Sequence, residues 1–190
     1  EAEGEGHKKK AFWVQSFLKN DNYGVHSVHG SDSDSLLACV CDAFQQIGQD
    51  TTVLKLRAVI ALEATVSEFR SRREAYEHVT KHLEDKKKKP VSAEEDKQKW
   101  KEDLAHDERL VEEMVGTEFA EVTTLQHFRE FIMTNRFFPD DWAIGALEQK
   151  LHVKLVILSQ TEFEDGDVHH VLRCSTAMGE TKAKPEHYIV

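Results

Sequence analysis

Gly30-Ser31-Asp32-Ser33-Asp34-Ser35-Leu36-Leu37 is the stretch on which the reading of this chain turns. Five polar turn and cap formers run straight into an amphipathic segment with Leu37, Val40, Cys41, Phe44 and Ile47 at helical spacing, and Gly48 is a plausible stop. A small hydroxyl or thiol at such a helix start gains twice. The helix dipole favours an anion there, and backbone N–H groups of the first turn can hold an oxyanion. The ordinary alternative is that Asp34 or Ser35 simply caps the helix.

Before this loop, a first helix is expected from Lys9 to Lys19 and an extended stretch from Val25 to Val28. After it, a third helix starts near Thr51 or Thr52 and buries Leu56, Val59, Ile60 and Ala64. From about Val66 the apolar stripe narrows to Phe69, Tyr76, Val79 and Leu83 among many charges, ending at Lys86–Lys89 and Pro90. Ser92 with Glu95 makes a capping box for a further helix carrying Trp100, Leu104, Val111 and Met114, which Gly116 can close. Residues 66 to 116 thus read as a charged helical arm. Thr123 with Gln126 is a second capping box, for a helix with Leu125, Phe128, Phe131 and Ile132. Asp140 can cap a helix containing Trp142, Leu147 and Leu151. Val153 to Leu158 is apolar on both faces and reads as a central strand, Asp165-Gly166 as a hairpin turn, and Val168 to Cys174 as a second strand. His187-Tyr188-Ile189-Val190 reads as the start of a third. The expected class is α+β, with a sheet late in the chain.

Composition narrows the function classes. The 190 residues suit one domain, with 39% hydrophobic and 32% charged residues. Residues 1–8, acidic and glycine-rich, read as a disordered tail or a leftover of preparation, and 9–190 as the domain. No apolar run is long enough to span a membrane. A net charge of -10 argues against a nucleic-acid binder held by phosphate contacts. Cys39, Cys41 and Cys174 form no CxxC, and their odd number favours a reducing compartment over a disulfide framework. Cys39 is expected in the core, and His169 and His170, on a strand, point to opposite faces. No zinc spacing, Gly-rich phosphate loop or G-x-S-x-G elbow is present.

Three of these segments together resemble the ovarian-tumour (OTU) family of cysteine deubiquitinases. The loop from Gly30 to Leu37 is similar to the family signature, an Asp/Gly/Asn-rich loop ending in Cys-Leu-Phe at a helix start. Asp140-Asp141-Trp142-Ala143-Ile144 with the strand Val153 to Leu158 resembles its tryptophan helix and central strand, and His187-Tyr188 its histidine-aromatic motif. The chain is most similar to the OTU-like proteases of large DNA viruses and some microbes, and the resemblance covers Asn22 to Val190 apart from the arm.

The resemblance implies a papain-like fold, a small central sheet flanked by helices, and isopeptidase chemistry on ubiquitin or a ubiquitin-like modifier. It implies no cofactor or metal, a monomer, and a cytoplasmic setting, in a host cell if the chain is viral. Ser35 falls at the nucleophile and His187 at the general base. Asp32, with Asp34 behind it, is the candidate to orient the histidine, since Ile189, two places after His187, cannot do so. Backbone N–H groups of Ser33, Asp34 and Ser35 would form the oxyanion site. A hydroxyl at position 35 is a far weaker nucleophile than a thiol near pKa ~8.5. Two origins fit it: a deliberate Cys-to-Ser inactivation made to trap substrate, which the surviving Asp32 and His187 favour, or a natural pseudoenzyme. The competing functions are a catalytically dead ubiquitin-binding module and an interaction protein that works through its helical arm.

Overall fold

The computed structural model describes residues 13–19, 26, 28, 30, 33–88, 100–105, 108, 117–167, 169–173 and 187–189. The tail 1–8, Val25, Ser27, Asp32, the Ser92–Glu95 capping box, Val111, Met114, Gly116, Val168 and Cys174 lie outside the described residues. The architecture is α+β and mostly helical. The chain divides into two compact units, one formed by Glu1–His29 with Asp141–Val190 and the other by Gly30–Asp140.

In the Gly30–Asp140 unit, α2 (Ser35–Gln46) and α3 (Val53–Glu63) pack together, followed by the long α4 (Val66–Lys88), helical residues 100–105 (α5), a 3-10 turn Thr117–Glu121 and α6 (Leu125–Ile132). α2 buries Leu37, Val40 and Phe44, the stripe its spacing predicts. Ile47 departs from that expectation: it is the C-cap and largely exposed. α3 begins as expected, with the Thr52 hydroxyl accepting from the Lys55 N–H. It buries Leu56, Arg57, Ile60 and Ala61 against α6, and Ala64, just beyond the helix end, is buried too. The N-cap of α6 is Thr124, accepting from the His127 N–H, one residue later than the expected Thr123.

The core of this unit is aromatic. Phe119, Phe128, Phe131 and Phe137 form a closed ring of four edge-on contacts, with centroids 5.9 to 6.4 Å apart. The first half of α4 belongs to this core. Phe69 meets Phe128 and Tyr76 meets Phe119. Arg73 donates to the carbonyls of Phe119, Ala120 and Val122, and Arg72 pairs with Asp140 at 2.6 Å. The outer half of α4 is mostly exposed; it buries Leu83 and pairs Lys87 with Glu108 at 2.6 Å.

In the other unit, α1 (Trp13–Leu18) packs its Trp13 and Phe17 rings on Phe163 of α8 (Gln160–Glu164). α7 (Asp141–Leu151) buries every residue from Ala143 to Glu148 and leads through His152, at φ +54°, into β1 (Val153–Leu155). The expected strand Val153 to Leu158 is broken at Val156. Its first half pairs in parallel with β4 (His187–Ile189), in the register Val153–His187, Lys154–Tyr188 and Leu155–Ile189. Its second half, β2 (Ile157–Leu158), pairs antiparallel with β3 (Leu172–Arg173). The bridge is the Val156 N–H, which donates to the Ile189 carbonyl at 2.7 Å, and the Ser159 N–H, which donates to the Val171 carbonyl. One segment therefore serves two ladders in succession.

Asp165-Gly166 is not a hairpin turn. It ends α8, with Asp165 as C-cap and Gly166 at φ +79°, a left-handed position that favours glycine. His169 and His170 lie in a turn rather than on a strand.

Candidate active site

The turn entering α2 is built by three tethers. Gly30 is packed so closely on the helix start that a Cβ there would lie 3.0 Å from the Ser35 Cα and 3.2 Å from its nitrogen. The Ser33 hydroxyl, in a buried residue, donates a hydrogen bond to the Asn135 carbonyl. Asp34 is held by Arg57, whose Nε and Nη2 donate to Asp34 Oδ1 at 3.0 and 2.6 Å.

Asp34 occupies the N-cap, as the ordinary reading of the loop expects, but its side chain makes no capping hydrogen bond. Its carbonyl accepts the first helical bond, from the Ala38 N–H at 2.7 Å. Its carboxylate serves Arg57 instead, making this residue an anchor of the turn. Ser35 is the first helical residue and is exposed. The dipole of the 12-residue helix therefore ends at an accessible side chain.

Arg57 is 2% exposed, and its Nη1 donates to the carbonyls of Ile132 and Phe137 at 2.8 and 3.1 Å. A buried guanidinium with its donors satisfied by a carboxylate and two carbonyls is well matched to its surroundings. The sequence carried a signal for it: Arg57 shares a helix face with Ile60, Ala61 and Ala64, a lone cation on an apolar stripe.

Cys39, expected in the core, is exposed. Desolvation and the neighbouring Asp42 carboxylate push its thiol above the ordinary value, and desolvation does the same for Cys41. Both thiols are held in the less nucleophilic form.

His187 opens β4 opposite Val153. β1, which carries that register, is fixed from the side by Glu148, a buried carboxylate on α7 that no sequence motif signalled. Its Oε1 accepts from the Leu155 N–H at 2.9 Å and pairs with Lys154 Nζ at 3.1 Å. Of the sequence-derived site residues, Ser33, Asp34 and Ser35 form one structured turn in the Gly30–Asp140 unit, and His187 belongs to the other unit. Among the described residues no group of three or more His, Cys, Asp or Glu could hold a metal ion, and no helix is long and apolar enough to cross a membrane. No protein-family model, curated protein or solved structure matches the chain.

Proposed function

We propose that this chain is the scaffold of an OTU-type cysteine deubiquitinase with a papain-like fold, acting on ubiquitin or a ubiquitin-like modifier, with Ser35 in the place of the nucleophilic cysteine. The observation that supports this reading above the others is the exposed Ser35 at the dipole end of α2, on a turn anchored at Gly30, Ser33 and Asp34. A simple capping turn needs none of these three tethers.

In the cysteine form, the thiolate at position 35 attacks the carbonyl carbon of the modifier's C-terminal glycine. The carbonyl oxygen takes the negative charge, and the backbone N–H groups of residues 33 to 35 stabilise it. Collapse breaks the C–N isopeptide bond, with His187 as imidazolium giving its proton to the leaving lysine amine. The neutral imidazole then takes a proton from water, whose oxygen attacks the thioester; the modifier leaves as a carboxylate and the thiol returns. Asp32 orients the imidazole in this scheme. As it stands, with a hydroxyl at 35, the chain binds the modifier without turning it over.

The test is Ser35→Cys, assayed for ubiquitin-chain cleavage and for labelling by a ubiquitin carrying a C-terminal electrophile. Labelling at position 35, lost in a further His187→Ala variant, is expected. A folded Ser35→Cys protein that labels with no such probe refutes the assignment. Binding of ubiquitin by the Ser35 protein, with Ser35→Cys inert, selects the binding module instead.

A further inference from the structure

An aspartate at an N-cap ordinarily turns its carboxylate onto the N–H groups of the second and third helical residues, here Leu36 and Leu37. Asp34 does not: its carboxylate lies on Arg57, with Nη2 at 2.6 Å. The same guanidinium holds the Ile132 and Phe137 carbonyls, and the Asn135 carbonyl between them accepts from Ser33. Residues 33 and 34 are thus tied through two side chains to one segment, 132–137. Arg57 sits on the buried face of α3, so its fork is fixed before any ligand arrives.

We infer that Arg57 is a positioning residue: it draws the Asp34 carboxylate off the start of α2, which keeps a negative charge away from the nucleophile and the developing oxyanion. The inference rests on the proposed isopeptidase reading. Without Arg57, Asp34 swings back to cap α2 and sets its negative charge against both the thiolate and the developing oxyanion. Helix α2 then keeps its fold while the chemistry at position 35 fails. A merely structural arginine would instead lower activity only in step with the loss of folded protein, and alike at every thiol.

The experiment uses the Ser35→Cys protein and compares Arg57→Gln, Arg57→Lys and the pair Arg57→Gln with Asp34→Ala. For a ubiquitin C-terminal fluorophore substrate, Arg57→Gln is expected to lower kcat about tenfold or more with KM within about threefold, less than the loss of an oxyanion donor outright. Removing Asp34 as well should recover about threefold or more of the lost kcat, and Arg57→Lys should fall between parent and Arg57→Gln. If Arg57→Gln does not fold, the Arg57→Lys loss and its recovery by Asp34→Ala carry the same decision. Unchanged kcat, an effect on KM alone, or no recovery overturns the inference.

A Ser35→Cys protein inert to ubiquitin probes would defeat the isopeptidase reading but leave the positioning role readable. Iodoacetamide labelling of the Ser35→Cys protein at position 35, relative to Cys39 on the same helix, is expected to drop about threefold in Arg57→Gln and return in the double variant. An unchanged ratio, or equal changes at both thiols, overturns it.

Discussion

Glu148 offers the sharpest test of how the strand carrying the register of His187 is held. Its carboxylate is 1% exposed, accepts the Leu155 N–H at 2.9 Å and faces Lys154 Nζ at 3.1 Å. Glu148→Leu keeps most of the volume but leaves the Leu155 N–H without that acceptor, at about 1–3 kcal/mol. It also removes the Glu148 partner of the Lys154 ammonium, whose side chain is 15% exposed and can turn partly to water, which adds about 1 kcal/mol. The leucine regains part of this by apolar burial, so the net loss should be about 2–3 kcal/mol. Glu148→Gln retains an acceptor for Leu155 and loses only the ionic component, about 1 kcal/mol. Urea unfolding with the midpoint and slope fitted separately gives both values, and hydrogen exchange at the Leu155 amide locates the effect. Glu148→Leu within about 0.5 kcal/mol of the parent, or a glutamine variant worse than the leucine one, would refute this account of β1.

Gly30→Ala sets a Cβ 3.0 Å from the Ser35 backbone. It should cost about 1–2 kcal/mol of stability by thermal unfolding and slow probe labelling of Ser35→Cys, because backbone and not a flexible side chain must yield. The Asp167 carboxylate, hydrogen-bonded by His170 at 2.7 Å, is held below its ordinary range, first by that side-chain bond. A carboxyl lowered by folding contributes stability above its unfolded pKa and loses it as pH falls through the folded one. Carbon-detected NMR titration should therefore find Asp167 ionised into acid, and His170→Ala should raise its midpoint.

The sequence and the structure part where one local signal competes with another. The helical stripes were legible because burial at Leu37, Val40 and Phe44, or Phe128 and Ile132, follows a 3.6-residue period that side-chain chemistry alone sets. Val153 to Leu158 is apolar throughout, and periodicity in such a run cannot register a change of partner at Val156, which depends on two distant strands. α8 was hidden by Asp165-Gly166, which suits a hairpin and a helix C-terminus equally. Ser159 with Glu162 is a capping box that could have decided the matter, and the Ser159 hydroxyl does accept from the Glu162 N–H. Cys39, one helical turn into the domain, reads as core in the sequence, whereas α2 turns it outward, away from Leu37 and Val40. In the candidate site, the polar loop and Ser35 stand out in the sequence. Arg57 shows only as a lone cation on an apolar stripe and Glu148 not at all, because the value of a buried charge lies in carbonyls and amides contributed by other segments.

The two ladders fed by residues 153–158 differ in how soon a growing chain can close them. Joining Leu158 to Leu172 encloses a short stretch with a helix already inside it, whereas joining Val153 to His187 encloses more than twice as much chain. The entropic difference is about 1 kcal/mol, and the parallel geometry adds a further handicap. The antiparallel pair is therefore expected to close before the parallel one. Position 187 thus takes its place beside Val153 only when the longer loop has closed.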